Sequence, residues 1–191
     1  MTARERILDA AADVMRERGV AGATTKEIAK AAGYSEALLY KHFRDKAQLM
    51  LAVLKERMPA FTANAVAGEA TVEANLVAVA HGALAFYRRA FPMMASMVAQ
   101  PALMAASREA LRKYDAGPQE PVRALARYLD AERDLGRVAA GADTGAAAAL
   151  LMGGCFQQGF LHYFAAAPDA PDLPESAAAG LVRPLLPALL P

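Results

Sequence analysis

The sequence predicts an all-α protein built from an N-terminal and a C-terminal helical part. Three observations carry that prediction. Alanine is abundant, β-branched residues are sparse and Trp is absent, a balance that favours helix over sheet. Apolar residues recur every three or four positions through most of the chain, as one face of a helix requires. Helix starts are also written explicitly: Thr2-x-x-Glu5 and Thr24-x-x-Glu27 are capping boxes, in which the Thr oxygen takes an orphan N–H and the Glu reaches back. At 191 residues with 55% hydrophobic composition, the chain can bury one large core or two modest ones and is not disordered.

The N-terminal elements follow in order. A first helix over about 3–18 places Ile7, Ala11, Val14 and Met15 on one face, and Gly19 and Gly22 end it. A second over about 25–32 turns Ile28, Ala29 and Ala32 inward. Gly33 is the turn, where a left-handed backbone is cheap only for glycine. Ser35 is placed to cap a third helix over about 36–42. A fourth starts after Asp45, with Asp45-x-x-Gln48 as a weaker cap, and carries Leu49, Ala52 and Val53 until Pro59 stops it. Two short helices around a glycine turn, within residues 24–46, have the layout of a helix-turn-helix, whose second helix enters the DNA major groove. The expected partner is double-stranded DNA.

Charge and composition bound the alternatives. Net charge is only +1, but residues 1–60 carry 11 Lys and Arg against 8 Asp and Glu, and the remainder 10 against 12. The basic excess sits with the motif. The single Cys155 rules out a disulfide framework, argues against a Cys-based zinc site and fits a reducing cytoplasm. The N-terminus mixes charges (Arg4, Glu5, Arg6, Asp9) where a signal peptide needs an apolar stretch. The longest apolar run, about 145–156, is short of the ~20 residues a spanning helix needs. A soluble, cytoplasmic protein without membrane partners is expected. No metal cluster, phosphate-binding glycine loop or nucleophile with a base at helical spacing is visible, so no catalytic residues, metal or cofactor are expected and the chain does not read as an enzyme.

The run Leu39-Tyr40-x-His42-Phe43, followed by Lys46, resembles the TetR-type transcriptional regulators. The other matching residues are Ile7, Ala11, Gly19, Thr24, Thr25, Ile28, Ala29, Ala32, Gly33, Ser35 and Leu49. The resemblance covers about residues 3–53 without a gap. It implies an N-terminal three-helix helix-turn-helix DNA-binding domain, residues 1–58, joined to a helical C-terminal ligand-binding and dimerisation domain, residues 59–191.

The resemblance also implies DNA-binding residues. Thr25 and Lys26 open the second helix beside the backbone, with Lys26 also within reach of a base, and Ser35 caps the reading helix. Glu36, Ala37 and Leu38 stand where base-reading side chains are presented. Lys41 approaches a base or a phosphate. Tyr40 and His42 are similar to a phosphate-binding pair, and Lys46 sits at the positive end of the fourth helix, suited to a phosphate. Each has a plainer reading: Tyr40 as a core aromatic, His42 as a surface histidine, the lysines as solvated charges. The chain departs from the family pattern at Tyr34, where a small aliphatic is usual, and at Leu38, where a small or polar residue is commoner. Glu36 also repels phosphate unless it accepts from a cytosine amino group.

Beyond residue 59 the periodicity predicts helices at about 71–90, 92–100, 102–115, 119–135, 143–165 and 174–189. The breaks fall at Pro92, Pro101, Gly117-Pro118, Gly136 and Pro168–Pro174. Candidate ligand-binding residues are Phe86, Tyr87, Met93, Met97, Met104, Tyr128, Met152, Phe156, Gln157 and Phe160, with Met94 in the same apolar set and His81 and Arg88 as further polar anchors. Met-rich apolar surfaces suit varied ligands, though each of these residues also reads as core. The small residues of 143–165 and the apolar 181–190 predict a homodimer through a four-helix bundle, with Pro184 and Pro187 kinking or ending the last helix. Cys155 reads as a buried apolar residue. The expected function is a repressor released from a near-palindromic operator by a small, mainly apolar effector. The alternative is a helical ligand-binding or interaction module without sequence-specific DNA binding.

Overall fold

The structure, a computed structural model, describes residues 1–57, 65–114, 116–166 and 170–191. The described residues form helices and no strands. The helices are α1 Ala3–Gly22, α2 Thr25–Ala32, α3 Glu36–His42, α4 Lys46–Glu56, α5 Val72–Val98, α6 Pro101–Lys113, α7 Glu120–Asp134, α8 Thr144–Ala165, α9 Glu175–Val182 and α10 Leu186–Leu189, with a 3-10 turn at Arg183–Leu185 between the last two. None of them is long and apolar enough to cross a membrane. Two compact units result, Met1–Met58 with Arg89–Gly117, and Pro59–Arg88 with Pro118–Pro191. Besides the division expected at residues 58/59, the chain passes between the units at 88/89, inside α5, and at 117/118, after α6.

In the first unit α1 to α4 close around Ile7, Leu8, Met15, Ile28, Leu39, Phe43 and Leu49, with Met93 of α5 completing the core. Both capping boxes form, at Thr2/Glu5 and at Thr24/Glu27. Two glycines have a geometric reason. Gly19 breaks α1 at φ +69°, and a Cβ there would lie 2.8 Å from Ser96 Oγ, which accepts a hydrogen bond from the Ala21 N–H. Gly33 ends α2 at φ +78°; its N–H reaches Lys30 O and the Tyr34 N–H reaches Ala29 O, the paired bonds of a Schellman motif.

The second unit packs α7, α8, α9 and the first part of α5 around Leu76, Leu84, Leu125, Leu129, Leu151, Met152, Cys155 and Val182. Gly159 lets α8 approach α5 closely, since a Cβ would lie 2.9 Å from Tyr87 Cβ and 3.3 Å from Leu84 O. Glu132, fully buried, accepts hydrogen bonds from Tyr128 Oη at 2.7 Å and the Gly68 N–H, and pairs with Arg137 at 3.1 Å. Those partners offset the cost of burying a carboxylate.

Two boundaries differ from the expected ones. Pro92 does not separate two helices; α5 runs through it. Proline removes one N–H and crowds the preceding turn, a cost of about 3 kcal/mol, and the burial of Ala90 and Met93 on either side offsets it. The last helix does not run through 174–189. It ends at Val182, passes through the 3-10 turn containing Pro184, and restarts with Pro187 in the first turn of α10, because neither proline can donate the bond an α-helix needs. The stops expected at Pro59 and Pro168 lie outside the described residues.

Candidate nucleic-acid interface

Helix α3, the second helix of the helix-turn-helix, is only seven residues long, so its direction is set by its ends. Ser35 caps it, accepting from the Leu38 N–H at 3.2 Å, and Leu39 and Phe43 anchor it in the core. The opposite side presents Ala37, Tyr40, Lys41 and His42 to solvent, with Glu36 and Leu38 half-buried. Lys26, in the first turn of α2, is exposed, and Thr25 beside it is half-buried.

Thr25, Glu36 and Tyr40 come together. The Thr25 hydroxyl donates to Glu36 Oε1 at 2.5 Å and lies 3.2 Å from Tyr40 Oη. This contact ties the start of α2 to the start of α3 and holds the one acidic side chain of the reading helix aside. Tyr40 is 46% exposed, so it is not a core aromatic. Lys46 behaves differently from a free terminal charge. Its ammonium donates to Val20 O at 2.5 Å, and burial pulls its pKa below the ordinary lysine value. It joins the end of α1 to the start of α4.

Carboxylate pairing neutralises only part of the unit's basic residues. Arg4 pairs with Glu56, Arg16 with Asp13, Arg18 with Glu27, Arg57 with Asp9 and Lys113 with Asp45. Among the described residues Lys26, Lys30, Lys41, Arg44 and Arg6 have no carboxylate partner. These five lie on α1, α2, α3 and the turn after α3; Lys46 and Lys55 on α4 and Arg108 on α6 have no carboxylate partner either. Lys30, Arg44 and Arg6 were missed by sequence reasoning. The signal that finds them is the pairing of other cations across up to 68 positions, as in Lys113–Asp45, which no local pattern contains.

Asp45 is the other polar centre of the unit. It caps α4 through the Gln48 N–H at 2.7 Å and accepts from Lys113 Nζ at 2.9 Å and Tyr114 Oη at 3.1 Å. Burial works to raise its pKa, but these three donors outweigh it and hold the carboxyl below its ordinary value.

The expected ligand residues are divided between the two units. Met93 lies in the core of the first unit with Met97 packed against it, and Met104 is half-buried on α6. In the second unit Phe86, Tyr87 and Phe156 form an edge-to-face chain with centroids 5.5 and 5.3 Å apart. Phe160 lies 6.0 Å from Phe164, Met152 is core and Gln157 is exposed. Tyr128 lines a cavity of about 190 Å³ with Val79, Leu125 and Arg127. Its hydroxyl, bonded to Asn75 and Glu132, is pushed up to about 12, chiefly by burial. The polar anchors have structural partners, His81 at Leu173 O and Arg88 at Asp172. Cys155 is buried, with Sγ 3.7 Å from Ala80 O, and burial pushes its thiol up to about 12.

Comparison with known proteins agrees with this geometry. Residues 7–53 match the family described as bacterial regulatory proteins, tetR family. The transcriptional regulator SrpR of Pseudomonas putida is 43% identical over 54 residues, 28% of this chain and 25% of that protein, so this match spans a quarter of SrpR's length. A TetR-family regulator from Mesorhizobium loti superposes with a TM-score of 0.71 at 21% identity over 99% of this chain and 97% of its own. SmeT of Stenotrophomonas maltophilia in complex with triclosan gives 0.66 at 25% identity, covering 100% of this chain and 93% of its own. Residues 7–53 of this chain thus match the tetR family, and the described residues share the all-helical fold of solved regulators of that family.

Proposed function

We propose that the protein is a homodimeric, sequence-specific DNA-binding regulator, a cytoplasmic repressor that leaves a near-palindromic operator when a small, mainly apolar effector binds its C-terminal helices. The observation that carries the reading is the set of cations without carboxylate partners on α2 and α3, Lys26, Lys30 and Lys41, around exposed Tyr40. Residues 1–58 supply the DNA contacts and 59–191 the ligand site and dimer interface. Tyr40, Lys41 and His42 contact phosphates or base edges, and Ala37 and Leu38 face the bases. Thr25 and Lys26 flank the backbone, Ser35 positions the helix, and Lys46 works mainly by fixing α4. The candidate effector residues are the aromatic chain Phe86–Tyr87–Phe156 with Phe160 and Gln157. SmeT with triclosan is an example of an apolar ligand on this fold.

Dimerisation has its own support. On α8 the side chains of Leu150, Gln157, Leu161 and Phe164, with Gly153 between them, are exposed at spacings of three or four residues, with Leu150 66% and Phe164 79% accessible. A monomer rarely leaves such a stripe in water. Two-fold pairing along α8 and α9 covers it and directs two recognition helices at adjacent major grooves. Release requires the effector to bind the DNA-free conformation more tightly than the DNA-bound one. The Asp45 contacts to Lys113 and Tyr114 give α6 a hold on the start of α4, through which that preference reaches α3.

The test is selection from a random duplex library by the purified protein. Enrichment of a palindrome supports the proposal. Absence of any enriched sequence, from folded protein, favours the second reading, a helical ligand-binding or interaction module. Glu36 on the reading helix favours that second reading, and the Thr25 bond that holds Glu36 aside weakens it.

A further inference from the structure

We propose that Arg6 and Tyr34 form a phosphate clamp beside the recognition helix, a DNA contact contributed by α1 and the helix-turn-helix turn. The inference rests on the DNA-binding reading above. Arg6 lies with its guanidinium carbon 5.1 Å from the Tyr34 ring centroid, and one of its N–H groups points at Tyr34 Oη at 3.4 Å. Gly33 makes room for it, since a Cβ there would sit 3.3 Å from the other terminal nitrogen. The guanidinium is therefore held by an aromatic face and a hydroxyl instead of a carboxylate. Arg4 one step away pairs with Glu56 and Arg18 pairs with Glu27, while Arg6 is left exposed and unneutralised.

That arrangement suits an oxyanion. Stacking fixes the planar fork and reduces the rotamer freedom lost on binding. Tyr34 Oη accepts from Arg6 and keeps its own proton to donate. The surroundings select the occupant. Tyr34 borders an open groove with Lys26, Lys30, Ser35 and Glu36, and Glu36 is already engaged by Thr25. Tyr34 immediately precedes the cap of α3, at the edge where the flanking strand of a major groove passes. A phosphodiester fits this position and charge. The clamp also gives a role to Tyr34, whose size has no use in a simple turn.

The experiment measures binding to a fluorescein-labelled mixed-sequence duplex between about 50 and 200 mM salt, where phosphate contacts dominate affinity. Arg6→Ala is expected to weaken binding about tenfold at the lower salt and to lower the log–log salt slope by about 0.9 per bound protomer. Arg6→Lys should restore the slope with part of the affinity. Tyr34→Phe should weaken binding severalfold with the slope unchanged. Thermal melts confirm folding; if Arg6→Ala does not fold, the lysine and phenylalanine variants decide. Wild-type affinity and slope in Arg6→Ala, or in Tyr34→Phe together with a full loss in Arg6→Lys, overturn the clamp. A loss of affinity in Arg6→Ala without any change in slope also overturns it, as a packing effect. Wild-type protein that fails to bind any duplex overturns the DNA reading itself, which separates the two failures.

Discussion

Replacing Gly159 by alanine tests the helix crossing that holds the aromatic chain of the second unit. The new Cβ would lie 2.9 Å from Tyr87 Cβ, 3.2 Å from Arg88 N and 3.3 Å from Leu84 O. Ordinary contact is about 3.5–4.0 Å, so α5 and α8 must separate by roughly 0.5–1 Å at this point. Two of the three atoms are backbone and the third is a Cβ, so none can rotate away. Overpacking of this kind costs about 1–3 kcal/mol, and the upper part of that range applies. Alanine returns about 1 kcal/mol of helix propensity, leaving a net loss of about 2 kcal/mol. For a chain of this size that is a fall in Tm of about 4–8 °C. Gly145→Ala is the matched control in the same helix, because its nearest neighbour would be the Asp143 carboxylate at an ordinary 3.5 Å. It should raise stability by about 0.4–1 kcal/mol. Differential scanning calorimetry at fixed protein concentration reads both. A Gly159→Ala melting temperature at or above wild type, or an equal fall in both variants, would refute the close crossing.

Further outcomes follow from the same contacts. Cys155, buried with its thiol pushed up to about 12, should not react with a thiol reagent at neutral pH in native protein and should react fully in denaturant; fast native labelling would contradict its burial. Thr24→Ala removes one half of the capping box at α2 and should lower stability by about 1 kcal/mol in urea unfolding; no change in midpoint would show that the cap is idle. The folded-state carboxyls of Asp45 and Glu56 sit below their ordinary values of 3.8 and 4.5. Their stabilisation is therefore complete above those values and is lost as pH falls through the lower folded ones. Unfolding midpoints should be flat above about pH 5 and drop more steeply in wild type than in Asp45→Asn; equal slopes would remove Asp45 from the account. Leu161→Asp with Phe164→Asp, on the exposed stripe of α8, should give a monomer in sedimentation, whereas an unchanged dimer would place the interface elsewhere.

Most of the first unit was legible because its signals are local. The two capping boxes, Gly33 and the Ser35 cap each act within three or four residues, and a run of Leu39, Tyr40, His42 and Phe43 leaves little freedom in which side is core. What escaped depends on contacts distant in sequence. The Lys46 bond to Val20 spans 26 positions, so no local pattern shows that this ammonium already has a carbonyl partner. The unpaired state of Arg6 and Lys30 becomes visible only when the partners of Arg4 and Arg18 are known. Pro92 misled because the rule against proline in helices is a local cost, and burial of its neighbours is a tertiary gain. Periodicity alone does not say which unit each residue of the ligand set belongs to. Met93, Met152 and Phe156 have the same apolar periodicity, yet the first lies in the core of one unit, the second in the core of the other and the third is partly exposed.

The most direct measurement is the affinity of the protein for its selected duplex against a scrambled duplex of the same length and composition, at two salt concentrations. A preference of at least about 10³ for the selected sequence is expected. Affinities for both duplexes are also expected to fall steeply with salt, with two protomers bound per palindrome. Equal affinity for the two duplexes, from folded dimer without effector, would contradict sequence-specific recognition by α3.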